Sequence, residues 1–169
     1  ADAVAGSSQG DGLVIEQLAL GIDGDFRCPA VLLRPAIADA DADAPARPRP
    51  AVILSHDDRQ CAASAEISQA ARALAAAGNW VLIPDHASPH PQSLQTLADA
   101  EQPRFYGDAA AEFIGPADAV GLSPIALRAA EDLAAFRYLA ANAAVDADQI
   151  TMVGVGIGGI DAAVTALLE

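Results

Sequence analysis

Three apolar runs of strand length, AVILSHD (51–57), NWVLIPDH (79–86) and ITMVGVG (150–156), are each followed further along the chain by a stretch with helical signals. A continuous apolar run is the mark of a strand covered on both faces. Strand, helix and strand in succession predict parallel pairing, with the helices laid on the faces of the sheet. The first helix is expected from Ala63 to Ala77, with Ile67, Ala70, Ala71 and Leu74 on one face and Gly78 as its stop. The second runs from Ser123-Pro124 to about Asn142, with Ala129, Leu133, Phe136 and Ala140 as its buried stripe, and the third from Gly158 to Glu169. Ahead of them, LVIEQLALGI (13–22) and FRCPAVLLRPA (26–36) flank Asp23-Gly24-Asp25, a hairpin signal. The predicted class is α/β: a mainly parallel, doubly wound sheet preceded by an antiparallel hairpin.

The 169 residues suit one domain, expected over 13–169 behind a flexible leader at 1–12. IADADADAPARPRP (37–50) reads as a low-complexity surface loop, and VDADQ (145–149) as a turn in which Asp146 and Asp148 serve as turn and cap residues. A long stretch from 87 to about 124 carries short helical pieces at 94–100 and 108–114. The net charge of −14, with arginine as the only cationic side chain, argues against nucleic acid and anionic membranes as partners. No apolar run reaches the ~18 residues that a membrane span needs. The N-terminal residues show no signal-peptide pattern, and cytoplasmic and exported locations stay equally open. Cys28 and Cys61 read as buried free thiols.

In sheets of this kind, ligands bind beyond the carboxyl ends of the parallel strands. Those ends are SHDDRQ (55–60), PDHASPH (84–90) and GVGIGG (154–159), and the first two hold all three histidines, His56, His86 and His90. The third supports two readings. Gly154, Gly156 and Gly159 fit G-x-G-x-x-G, the turn that holds a dinucleotide's pyrophosphate at a helix N-terminus. Gly154, Gly156 and Gly158 equally fit G-x-S-x-G, the nucleophile elbow, with glycine in the serine's place.

The elbow reading uses more of the chain. CPAVLLRPA, AVILSHDD, AARALAAAGNWVLIPDH, LRAAEDLAAFRYLAANAAVDADQI and GVGIGG, taken in order, resemble the N-terminal half of an α/β-hydrolase of the dienelactone-hydrolase and acetyl-xylan-esterase-like branch. The resemblance implies carboxylic-ester hydrolase chemistry, an oxyanion hole built from the His56-Asp57 loop and Ile157, and Gly156 at the nucleophile's position. The family's catalytic acid and histidine follow the elbow. Glycine has no atom that attacks a carbonyl, so catalysis is expected to be absent, and a non-catalytic binding or scaffold domain is the competing class. A small ester-like ligand would meet Asp58, His86, His90, Gly154, Gly158 and Gly159. No cofactor is implied under this reading.

Two further arrangements compete at the same loops: a thiol–imidazole pair of Cys61 and His56, and a divalent-metal cluster of Asp57, Asp58, Asp85, His86 and His90. Packing for the thiol and solvated or helix-capping carboxylates are the simpler roles, and Arg59 is expected to pair with Asp57 or Asp58. In the family the elbow strand lies mid-sheet. Here no strand follows ITMVGV, so an exposed edge is expected along 150–155, prone to self-association or to pairing with the remainder of a longer chain.

Overall fold

The computed structural model describes residues 3–36, 47–57, 60–86, 119, 121 and 123–168. The helical pieces expected at 94–100 and 108–114, most of the loop at 37–50, and Asp58, Arg59 and His90 lie outside the described residues. Among the described residues there are six strands, β1 (Ala3–Gly10), β2 (Leu13–Gly21), β3 (Arg27–Pro35), β4 (Arg49–Ser55), β5 (Trp80–Pro84) and β6 (Val145–Gly154). Three helices accompany them: α1 (Ala65–Ala76), α2 (Pro124–Ala140) and α3 (Gly158–Leu168). The sheet order is β1-β2-β3-β5-β4-β6. β1, β2, β3 and β5 pair antiparallel in turn, whereas β4 pairs parallel with both β5 and β6. The result is a mixed α/β sheet, whose parallel part comes from the strands joined by helical crossovers.

Side-chain alternation along the strands sends one set of residues to each face. Leu32, Ile53 and Leu82 face α2, in a cluster with Ala135 and Leu139. Leu33, Leu54, Val81 and Ile83 face α1, packing on Ile67, Ala71 and Ala75. The sheet is therefore covered on both sides, as the unbroken apolar runs required.

Two expectations need correction. The segment read as a flexible leader forms β1, paired with β2 from Ala3↔Ala19 to Gly10↔Leu13. Its polar sequence hides the strand, because its ladder is made of backbone groups. The turn that makes it is legible: Asp11 and Gly12 both take positive φ, 54° and 73°, the conformation of an Asp-Gly hairpin turn. The second correction is at VDADQ, which belongs to β6 rather than to a turn. Val145 pairs with Arg49, and a register shift follows before Ile150 pairs with Ala51. Asp146 braces this stretch locally by accepting hydrogen bonds from the Asp148 amide and the Gln149 side chain.

Candidate functional site

β6 runs directly into α3 through Val155, Gly156 and Ile157, a strand-to-helix turn closed by the Gly158 amide donating to the Val155 carbonyl. The Gly158 amide is therefore engaged within the turn itself. Gly156 adopts φ +60°. Close approach, not only backbone freedom, fixes the glycines here. A Cβ at Gly154 would lie 2.2 Å from the Gly158 carbonyl oxygen, and one at Gly158 would lie 2.3 Å from that of Ser55. A Cβ at Gly159 would find nothing nearer than the Gly154 oxygen at 3.8 Å. At Gly156 the obstacle is a side chain: an added Cβ would fall 1.7 Å from Asp57 Oδ2. The Asp57 carboxylate thus fills the space that a side chain at position 156 would occupy.

Beneath this turn lies a buried polar cluster that joins the β4 and β5 ends to α2 and α3. His86 Nε2 lies 3.0 Å from Ser55 Oγ and its Nδ1 lies 3.0 Å from Glu131 Oε2. Asp132 Oδ1 stands 3.4 Å from His86 Nε2. Arg128 Nε donates to Asp161 Oδ2 at 2.6 Å, and its Nη2 donates to the His56 carbonyl. His56 Nδ1 lies 2.8 Å from the Asp57 carbonyl oxygen. One guanidinium therefore ties α2, α3 and the loop that carries Asp57 to one another.

Burial lowers the pKa of His86 to about 3, with the Arg128 charge acting in the same direction. Burial likewise lowers that of His56 to about 4, against the opposing effect of its bond to the Asp57 carbonyl. Both rings are neutral near pH 7. The neutral His86 ring is thus bracketed by the Glu131 carboxylate at Nδ1 and by the Ser55 hydroxyl at Nε2, with the Asp132 carboxyl beside the latter. Ser55, His86 and Glu131 thereby reproduce the hydroxyl–imidazole–carboxylate order of an acyl-transfer triad. All three are buried, at 0, 3 and 2% exposure, and the cluster ties the ends of β4 and β5 to α2.

Burial and the Asp161 charge raise the Asp132 pKa to about 7. Its pH signature is opposite to that of the histidines. A carboxyl whose folded pKa is raised weakens the fold as pH climbs from about 4 to about 7, while depressed histidines weaken it as pH falls from about 6.5. Asp132→Asn, a neutral stand-in, is expected to leave stability unchanged near pH 4. Above pH 7 it should raise stability by at most about 4 kcal/mol, at ~1.4 kcal/mol per pK unit. Urea unfolding at both pH values measures this. A loss of stability at high pH would show that the ionised carboxylate is a needed partner.

The structure brings His56, Asp57, Gly154, Gly156, Ile157 and Gly158 together at the turn. His86 instead sits in the sealed cluster, and Gly159 faces solvent on the first turn of α3. Asp85, taken with the loop acids in the metal reading, is buried, with Oδ1 3.8 Å from His56 Nε2. No group of three metal-binding side chains is disposed around an ion among the described residues. The Cys61 thiol lies 3.7 Å from Ser64 Oγ, on the approach to α1. Sequence reasoning missed Arg128, Glu131, Asp132 and Asp161. The expected α2 stripe of Ala129, Leu133, Phe136 and Ala140 is rotated, so that Arg128, Ala129, Glu131, Asp132 and Ala135 face inward. Leu133 and Phe136 are half-buried. The available signal was the i, i+3, i+4 spacing of charge in RAAED, which places all three charges on one helical face.

No family model and no curated protein matches the chain. Solved structures match its fold. A protein described as an acetyl xylan esterase from Bacteroides fragilis superposes with a TM-score of 0.74 at 15% identity, over 100% of this chain and 45% of its own. The methylesterase BT1017 gives 0.70 at 14%, over 100% and 33%. A dienelactone hydrolase from Anabaena variabilis gives 0.57 at 17%, over 94% and 59%. The chain thus spans 33–59% of the length of these three proteins. The chain shares the fold of the matched part of each of these proteins.

Proposed function

We propose that the chain is a non-catalytic domain of the carboxylic-ester hydrolase class, in which the Gly154–Gly158 turn is a nucleophile elbow without its nucleophile. One observation carries the reading. Gly156 holds the positive φ of the turn's apex, and Asp57 Oδ2 stands where its side chain would begin. Acyl transfer needs an attacking atom at that apex and donors aimed at the oxyanion that forms. The apex has no such atom. The His56-Asp57 loop, which in this reading would help to build the oxyanion hole, carries a carboxylate that opposes a developing negative charge. Both described imidazoles are sealed in the interior. The role that remains is binding or assembly. A small ester-like ligand at the turn would meet Asp57 first, which favours neutral over anionic groups. The dinucleotide alternative loses support on the same ground, since a pyrophosphate would face that carboxylate. Packing also leaves Gly159, the third glycine of its fingerprint, free to carry a side chain.

A double-mutant cycle tests whether Asp57 fills the nucleophile's space. Gly156→Ser alone should cost a few kcal/mol, from left-handed backbone strain plus the collision with Asp57. Asp57→Ala should remove the collision and leave the strain, giving a coupling of about 1–3 kcal/mol in the double variant. Strictly additive costs would mean that Asp57 does not hold that space.

A further inference from the structure

The polar cluster between the ends of β4 and β5 and the helices α2 and α3 is short of hydrogens. Among the described residues, five of its buried side-chain atoms have no hydrogen-bond partner: His56 Nε2, Arg128 Nη1, both Asp132 carboxyl oxygens and Asp161 Oδ1. None of these four residues is more than 4% exposed, so a partner laid on the surface does not reach these atoms. Four of the five atoms are acceptors. The carboxylate oxygens accept by nature, and His56 Nε2 does so because of its surroundings. His56 Nδ1 lies 2.8 Å from the Asp57 carbonyl oxygen, which can only accept, so Nδ1 carries the hydrogen of the ring. Burial keeps the ring neutral near pH 7, which leaves Nε2 with a bare lone pair. Asp85 Oδ1, 3.8 Å away, and the Pro84 carbonyl beside the ring are acceptors too. A proton on Asp132 would supply one hydrogen and still leave three acceptors without a donor.

We propose that this cluster is a built site for buried water, with one water held between His56 Nε2 and Asp85 Oδ1 and further water completing Arg128, Asp132 and Asp161. The excess of acceptors selects the ligand. Water brings two donors in one small neutral molecule, and a buried water makes about three hydrogen bonds to groups that the protein leaves unpaired. A metal ion fits less well. No group of side chains among the described residues is disposed to hold one, and the Arg128 guanidinium repels a cation. At 3.8 Å, His56 Nε2 and Asp85 Oδ1 are too far apart for a direct hydrogen bond. One water oxygen can nevertheless stand at an ordinary distance of about 2.8 Å from both. Each carboxylate oxygen offers two lone pairs, so Asp85 keeps room for this water beside its other partners. The water also bears on the turn. With Nε2 anchored, Nδ1 is held on the Asp57 carbonyl, and the loop that sets the Asp57 carboxylate against Gly156 is braced from inside.

The inference stands on hydrogen-bond geometry and does not depend on the proposed function. It is tested on the intact chain by magnetic relaxation dispersion of the water signal, which counts waters held for longer than the molecule takes to tumble. Nitrogen NMR of the histidine rings is recorded alongside. The expected result is long-lived interior water, a His56 ring protonated at Nδ1 and bare at Nε2 near pH 7, and magnetisation transfer from water to the hydrogen on His56 Cε1. Asp85→Leu replaces one of the two acceptors with hydrocarbon. It should lose at least one long-lived water relative to the parent, with circular dichroism showing that the fold is kept. Should that variant not fold, the ring signals of the parent chain decide alone. A His56 Nε2 that carries a hydrogen near pH 7, no transfer from water to the ring, or an undiminished water count in folded Asp85→Leu would overturn the proposal.

Discussion

Arg128→Met is expected to leave the protein unfolded or close to it. The guanidinium is only 4% exposed and neutralises Asp161, which is fully buried. Methionine keeps much of the volume but strands a carboxylate in the interior. Breaking a buried pair from one side costs roughly 3–5 kcal/mol. Whole domains are stable by only about 5–15 kcal/mol. The same change frees the His56 carbonyl, and with it the loop that presents Asp57. Replacing both partners, Arg128→Met with Asp161→Leu, should recover much of the loss, because the unpaired charge goes too. Chemical denaturation of the single and double variants checks this. A single variant within about 1 kcal/mol of the parent would show that Asp161 is not held by Arg128.

The glycines of the turn should separate as sharply. Gly154→Ala and Gly158→Ala would each drive a Cβ into backbone, at 2.2 and 2.3 Å, where no side chain can swing aside. Strand and helix would have to move apart, and a loss of several kcal/mol is expected, in the range of severe overpacking. Gly159→Ala meets only an oxygen at 3.8 Å and lies within α3, so it should be neutral or gain up to about 1 kcal/mol of helix propensity. Melting temperatures of the three variants measure the difference. This ordering belongs to an elbow spaced G-x-x-x-G around its apex. A dinucleotide turn spaced G-x-G-x-x-G would instead be damaged at Gly159.

Much of this architecture was legible because burial on both faces writes itself into sequence. AVILS, WVLIP and ITMV are apolar without interruption, and they became β4, β5 and the distal half of β6. β1 was not legible, because AVAGSSQG earns its place through backbone pairing alone. At the site, the glycine spacing announced a tight turn but left its kind open, and only the inter-backbone distances separate Gly158 from Gly159. The buried charges were hidden for a different reason. Periodicity counts apolar residues, so an alanine-rich helix whose inner face carries Arg128, Glu131 and Asp132 is read a fraction of a turn away from its true orientation. The partners of those side chains, His86 and Asp161, lie on other elements, out of reach of any local pattern.

We propose that the fold persists here without the acyl-transfer chemistry for which several of its structural neighbours are named. Hydrolysis of a short activated ester, p-nitrophenyl acetate, by the intact chain tests it most directly. The rate should equal the non-enzymatic rate across the neutral pH range, since position 156 offers no nucleophile, and Cys61→Ala should change nothing. Turnover that survives Cys61→Ala would contradict the claim and require a nucleophile elsewhere in the chain. Turnover abolished by it would contradict the claim as well and assign the chemistry to the thiol.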